Sequence, residues 1–258
     1  MIYDVLLGYR ECLLESYSQE TAETYYKRLC RLFEGQNITD PVNRFDVQLV
    51  LDRLAGIKHK NYFSQGKNAF LHFCELHNIK LSSDTLESIR GLEKKTKKKY
   101  RRLRAIDFKQ VDNRIKHIRN KKLKLSYQAI MATGLRVSEL AQLGPNDCAI
   151  AADSITFNFI GKGRRNESAT IQATEHPKLY KSLLELVRDM PANKKVFYSA
   201  PYLQAKARPL GFSCHDLRRV FAKLEYRKCG SKTEVMSKLR HSNVKTTNIY
   251  LRSRVKIT

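Results

Sequence analysis

The run Ile155-Thr156-Phe157-Asn158-Phe159-Ile160, continued by Gly161-Lys162-Gly163-Arg164-Arg165-Asn166 and then Ala169 and Ile171, decides the fold class. Bulky apolar residues fall at alternate positions through Ile155, Phe157 and Phe159, the period of a half-buried strand. The glycine-bracketed stretch that follows has the chemistry of a tight turn. The spacing predicts a β-hairpin whose tip carries Lys162, Arg164 and Arg165. No strand pattern reads out through residue 90, and helical spacing dominates on both sides of the hairpin. The chain therefore reads as mainly α with a small β-sheet.

Working outward, residues 107–119 and 123–131 read as helices. Gly134 interrupts, and Arg136 restarts a helix whose Val137, Leu140 and Leu143 point inward. Beyond Pro177 the pattern is helical again. Ser213 and Asp216 form a capping box at the head of a helix that runs to Cys229 and stops at Gly230. Ser231 and Glu234 repeat the device before a short helix through Val235, Met236 and Leu239. The turn Arg240-His241-Ser242 then leads into a last helical stretch with Thr247 and Tyr250. Toward the start of the chain, residues 18–33, 45–54 and 64–77 are amphipathic helices of a small all-helical unit, with Lys58, Lys60 and Lys67 in the stretches between them. Residues 94–104, KKTKKKYRRLR, hold eight basic residues in eleven positions. Like charges in a block resist packing, which places a linker there. The division is a helical domain at 1–93, a basic linker at 94–104 and a second domain at 105–258.

The chain has 258 residues, enough at about 150 per domain for one to two domains with real cores. Against 49 Lys+Arg stand 25 Asp+Glu, a net +24, and a compact body with that excess calls for a polyanion. Double-stranded DNA is the first partner to consider. Lys94, Lys95, Lys97, Lys98, Lys99, Arg101, Arg102 and Arg104 in the linker, with Arg164 and Arg165 at the hairpin tip, are the candidate contacts to its phosphates. A hydrophobic content of 42% excludes a disordered chain. No apolar run reaches the roughly 18 residues of a spanning helix, and the opening does not read as a signal peptide, so no membrane is expected. The six cysteines are scattered and read as free thiols in a reducing compartment. Cytoplasmic localisation, on the nucleoid when DNA is bound, follows. Cys74 and His77 make one Cys-x-x-His pair without a second, so they read as ordinary helix residues and no metal site is expected.

Four places could carry chemistry. His215 and Arg218, three apart on one helix, share a face and suit a phosphate: a guanidinium offers two parallel hydrogen bonds, and an imidazole exchanges a proton near neutral pH. Arg136, just past the Gly134 break, can point into a cleft. Lys162, between two glycines, has a backbone free to approach another molecule. Tyr250 could act as a nucleophile if its phenol met phosphate-binding cations. Taken singly, each has an ordinary structural reading: a surface pair, a surface arginine, an exposed turn lysine, and a core tyrosine at helical spacing from Val244 and Ile249.

Taken in order, Thr133-Gly134-Leu135-Arg136-Val137-Ser138-Glu139-Leu140, Gly161-Lys162-Gly163, His215-Asp216-Leu217-Arg218, Leu239-Arg240-His241 and Thr247-x-x-Tyr250 resemble the tyrosine recombinase (phage integrase, Xer-like) family motif by motif. The resemblance covers the second domain, with His241 nine residues before Tyr250, and more softly the first. It implies a helical core-binding domain and an α+β catalytic domain clamped on the duplex. It also implies cutting and rejoining of DNA for integration, excision or resolution, with no metal, cofactor or ATP. By this analogy Tyr250 attacks to give a 3′-phosphotyrosyl link, and Arg136, Arg218 and His241 stabilise the phosphorane. Lys162 protonates the leaving 5′-oxygen, and His215 takes the tyrosine proton. The resemblance further implies a tetramer on synapsed DNA, a monomer or weak oligomer free of it, and room for an accessory protein. Arg240 departs from the family's usual glycine, and Arg219-Val220 from its frequent His-Thr. The eight residues after Tyr250 put the usual exchange of C-terminal tails between protomers in doubt, and the short start of the chain argues against a separate arm-binding domain. The competing readings are a type IB topoisomerase-like relaxing enzyme and a non-catalytic DNA-binding protein.

Overall fold

The structure is a computed structural model describing residues 2–36, 38, 45–95, 105–161 and 163–257. It divides into two compact units, Met1–Arg101 and Arg102–Thr258.

The first unit is built from α1 (Ile2–Ser16), α2 (Gln19–Leu32), α3 (Val47–Gly56), α4 (Lys60–Leu76) and α5 (Ser83–Lys95). Local chemistry starts these helices. The Ser18 hydroxyl accepts from the Thr21 N–H, the Asp46 carboxylate from Leu49 and the His59 ring from Asn61. Val5, Tyr9 and Leu13 of α1 close over Leu29, Leu32, Phe63, Phe70 and Phe73 to make one core. Helices α1 and α5 are not apparent from sequence spacing, although Val5, Leu6, Tyr9 and Leu13 of α1 lie on one helical face. Helix α4 begins at Lys60, so Lys60 and Lys67 are helical rather than in a connecting stretch, and Lys67 is taken up by Glu93 at 2.7 Å. Cys74 is buried in this core and His77 caps α4 against the Phe73 ring, as expected of ordinary helix residues.

Of the basic run, Lys94 and Lys95 lie on the last turn of α5. Lys97, Lys98, Lys99, Arg101, Arg102 and Arg104 lie outside the described residues.

The second unit runs β1 (Ile106–Asp107), α6 (Phe108–Lys116), α7 (Lys121–Thr133), α8 (Val137–Ala141), β2 (Cys148–Ile150), β3 (Ser154–Ile160), β4 (Asn166–Gln172), α9 (Pro177–Arg188), α10 (Ala200–Ala207), α11 (Cys214–Cys229), α12 (Lys232–Lys238), α13 (Val244–Leu251) and β5 (Val255–Lys256). The hairpin forms as its alternation dictates: β3 and β4 pair antiparallel from Ser154↔Gln172 to Ile160↔Asn166, with Ile155, Phe157, Phe159, Ala169 and Ile171 buried. The short β2, which the sequence does not announce, adds to β3 to complete a three-stranded sheet. Helices α7 and α11 pack on each other at the centre of the unit, with Tyr127, Ile130, Leu217 and Val220 in its core. A smaller cluster of Phe221, Ala222, Val235, Leu239 and Tyr250 joins α11, α12 and α13. After Tyr250 the chain turns back: β5 pairs in parallel with β1, and the Ile106 N–H donates to the Arg254 carbonyl at 2.8 Å. This tail is thus held within its own unit. Among the described residues no helix is long and apolar enough to cross a membrane.

Candidate active site

The site is assembled from breaks between helices. Helix α7 ends at Gly134, in the left-handed conformation at φ 63°, where the turn aims its carbonyl back between α11 and α12. A side chain at position 134 would collide with the Phe221 ring, so the close approach of this corner to α11 needs glycine twice over. Arg136 then caps α8. Its N–H donates to the Glu139 Oε2 at 2.7 Å, and its guanidinium pairs with the same carboxylate.

Arg218 comes from the middle of α11 and is 1% exposed. Its terminal nitrogens donate to the carbonyls of Gly134 and Leu239, and Glu139 lies 3.8 Å away. Its Nε has no hydrogen-bond partner among the described residues. Burial first, and then the neighbouring Arg136 charge, pulls its pKa down to about 10, so it is still a cation at neutral pH. One turn earlier, His215 projects from the same face of α11, open to solvent on one side. The capping box holds this turn: the Ser213 N–H donates to Asp216, the Asp216 N–H to the Ser213 hydroxyl, and Arg219 ties the Asp216 carboxylate at 2.7 Å.

Tyr250 is delivered by α13. Val244 and Ile249, the apolar neighbours that would make it an ordinary core residue, are 41% and 57% exposed; the inward face of α13 is Thr247 and Tyr250. The Tyr250 phenol meets the His215 Nε2 at 2.7 Å, and its ring packs edge-on against those of His215 and His241. Burial raises the phenol's pKa, while the charges of Arg218 and Arg136 work to lower it. His241 Nδ1 lies 3.0 Å from the Thr247 hydroxyl. Burial, reinforced by Arg218 and Arg136, drops its pKa to about 4, and His215 is lowered for the same reasons. Both imidazoles are neutral at pH 7.

Arg136, His215, Arg218, His241 and Tyr250, separated by up to 114 positions in the chain, are therefore gathered at one place. Arg136, His215 and Arg218, with Ser138, Gln204 and Ser213, line a cleft of about 400 Å³. Lys162 lies outside the described residues. Arg164 and Arg165 are exposed between β3 and β4. Among the described residues no group of three or more His, Cys, Asp and Glu side chains is placed to hold a metal ion.

Two residues at the centre carry no role in the sequence reading. Glu139 is 3% exposed among Arg136, Arg218 and Arg240, a carboxylate set among three guanidiniums. Arg240 reaches from the turn before His241 to the sheet. The sign of both was in the motif strings, Glu139 three residues after Arg136 and Arg240 in a tight turn, but their partners are not local.

A buried phenol on an imidazole, under the field of two arginines, in this helical unit with a small antiparallel sheet, is the arrangement that the motif series leads one to expect. The chain belongs to the phage integrase family, whose model matches residues 101–256. The fold agrees. A lambda integrase fragment, residues 75–356, solved as a dimer on a COC′ core site, superposes with a TM-score of 0.67 at 16% identity over 99% of this chain and 98% of that one. The Tn1549 transposon integrase in complex with transposon right-end DNA gives 0.59 at 14% identity over 95% and 94%. The XerH recombinase bound to its difH substrate gives 0.58 at 19% identity over 91% and 75%. No curated protein sequence matches.

Proposed function

We propose that this chain is a site-specific DNA recombinase in which Tyr250 attacks the scissile phosphate. The phenol's oxygen forms the bond to phosphorus, its proton passes to the His215 Nε2, the bond to the 5′-oxygen breaks, and Lys162 returns a proton to that oxygen. The product is a 3′-phosphotyrosyl link that keeps the phosphodiester's energy for rejoining to a second strand, so the residues named need no ATP. Arg136 and Arg218 face the charge that develops on the phosphorane oxygens, in a buried setting where such interactions are strong. We assign the Thr247 hydroxyl as the donor in its 3.0 Å contact with His241 Nδ1, which puts the imidazole proton on Nε2, the nitrogen left to donate to the phosphate.

The observation that carries this reading is the 2.7 Å contact between Tyr250 and His215 beside Arg218. A phenol, an imidazole and a permanent cation adjoin one another there, which supports this division of roles. Arg164, Arg165 and the lysines and arginines of residues 94–104 hold the duplex through its phosphates, and the helical domain at 1–93 extends that contact. Solved relatives are DNA complexes, lambda integrase as a dimer; here the working assembly is a tetramer on two synapsed duplexes, acting in the cytoplasm, with an accessory protein where synapsis needs one.

Two substrates test the proposal. Plasmids carrying two copies of a target site identified in the DNA flanking the gene should be recombined between those copies alone. Relaxation of any supercoiled plasmid by the monomer would instead establish the topoisomerase reading. DNA affinity should fall roughly 10³ to 10⁵-fold between 50 and 200 mM salt if about six to ten phosphates are neutralised.

A further inference from the structure

Arg240 has the backbone conformation that glycine favours, φ 54°, and is one of three non-glycine residues at positive φ among the described residues. Its guanidinium is held at the two terminal nitrogens, while the buried Nε makes no hydrogen bond among the described residues. Its Nη2 donates to the Gly134 carbonyl at 3.2 Å and lies 3.8 Å from Glu139, at the corner where Arg218 also donates. On its other side Nη1 donates to the Ser168 carbonyl at 3.4 Å, and Nε lies 3.6 Å from the Glu167 carboxylate. The guanidinium stands 5.3 Å from the centre of the Phe159 ring. Phe159, Glu167 and Ser168 belong to the paired strands of the hairpin, Phe159 directly opposite Glu167.

Glu167 extends this contact toward the turn. A Cβ on Gly161 would collide with its carboxylate, so Gly161 rests on Glu167, and the Gly161 N–H closes the turn on the Arg165 carbonyl at 2.8 Å. Lys162 is the next residue. Arg240 is thus the one side chain, among the described residues, that hydrogen-bonds both strand β4 of this hairpin, at Ser168, and the Gly134 carbonyl shared with Arg218. Its rigid fork, which a lysine lacks, can hold two such surfaces in a fixed relation.

We propose that Arg240 is a positioning residue that sets the hairpin against the Arg218 corner, so that Lys162 reaches the leaving 5′-oxygen. The inference rests on the assignment of Lys162 as the acid. It is specific about the step affected: protonation of the leaving group, not attack or charge stabilisation.

A leaving group that needs no proton separates these steps. Nicked DNA with sulfur in place of the bridging 5′-oxygen departs as a thiolate of low pKa, so a defect in the general acid disappears on it. R240G relieves the backbone conformation but strips the guanidinium from Glu139 and Glu167, so its melting temperature should fall, and cleavage is compared at a temperature where both proteins are folded; DNA affinity should be unchanged. The variant should cleave the oxygen substrate about 10²-fold more slowly, within the range of a general acid's contribution. On the sulfur substrate it should cleave within about threefold of wild type, and R240K should restore little of the oxygen rate. E167Q, which keeps the shape of the contact and removes its charge, should show the same sulfur-rescued defect at about 5-fold. K162A calibrates the assay. If K162A is rescued by sulfur and R240G is not, Arg240 acts on the phosphate or on Arg218, and the inference falls alone. If K162A stays slow on sulfur, the assignment of Lys162 falls first and this inference with it. An R240G as fast as wild type on oxygen also overturns it.

Discussion

Each unit buries a tyrosine, Tyr9 in the core of the first and Tyr250 in the smaller cluster of the second, and the two phenols meet opposite surroundings. Tyr9 in the first unit, 1% exposed, donates to the Ala69 carbonyl at 3.0 Å and packs edge-on against Phe73 and His72. Burial drives its pKa far above the ordinary value, and the tyrosines and the thiol around it add to the effect. Tyr250 is almost as buried, at 6%, but its partner is an imidazole, and Arg218 and Arg136 oppose the cost of burial. A phenol held on a carbonyl has nowhere to send its proton and no cation to receive its charge. The same side chain beside a neutral histidine and two guanidiniums has both. The lesson is that burial alone does not make a residue structural; the sign of the charge around it and the kind of hydrogen-bond partner decide.

The comparison can be broken most severely by deleting each hydroxyl. Y250F should lose covalent capture of DNA below detection while binding DNA normally, whereas Y9F should cleave at the wild-type rate and lose ~1 kcal/mol of stability with its hydrogen bond to the Ala69 carbonyl. Denaturant melts and trapping on nicked DNA, run on both variants, read the two effects. R218A should slow cleavage by about 10² to 10³-fold, the scale for one donor to a developing oxyanion. Single-turnover rates at saturating DNA isolate that step. G134A should destabilise the second unit by roughly 2 kcal/mol, since it adds both a left-handed backbone penalty and a clash with Phe221. Thermal unfolding should report the loss.

The smallest effect concerns pH. The His241 pKa falls from an ordinary 6.5 unfolded to about 4 folded, so in that window the unfolded chain holds the extra proton and stability rises with pH. The contribution is complete above about pH 6.5 and is lost as pH falls toward 4. Unfolding free energies at pH 7 and pH 5 should differ less in H241N than in wild type. An equal pH dependence in the two proteins would remove His241 from the buried neutral set.

Much of this was legible because it is local. The alternation at Ile155, Phe157 and Phe159 determines the face of the strand, Ser213 and Asp216 start α11, and the spacing of His215 and Arg218 follows from one helical turn. Tyr250 was harder. Its apolar neighbours suggested a core residue, and only the ordered series of motifs singled it out. What escaped is non-local or weakly patterned. β1 and β5 are two residues each and join the two ends of the second unit, α5 has a largely polar sequence, and β2 has three residues. The place of Glu139 at the centre of the site is hidden for the same reason: it is visible as a helix-start acid, but Arg218 and Arg240 reach it from far along the chain. Arg240 is read in sequence as a departure in a turn, whereas its partners Ser168 and Gly134 lie 72 and 106 positions away.

The account turns on where the DNA becomes attached. Trapping the wild-type enzyme on a nicked duplex, digesting the adduct and locating the modified peptide by mass spectrometry reads this directly. The prediction is a 3′-phosphonucleotide on Tyr250, in the α13 peptide, and on no other residue. An adduct on a different side chain, or attachment through a 5′-phosphate, would contradict it.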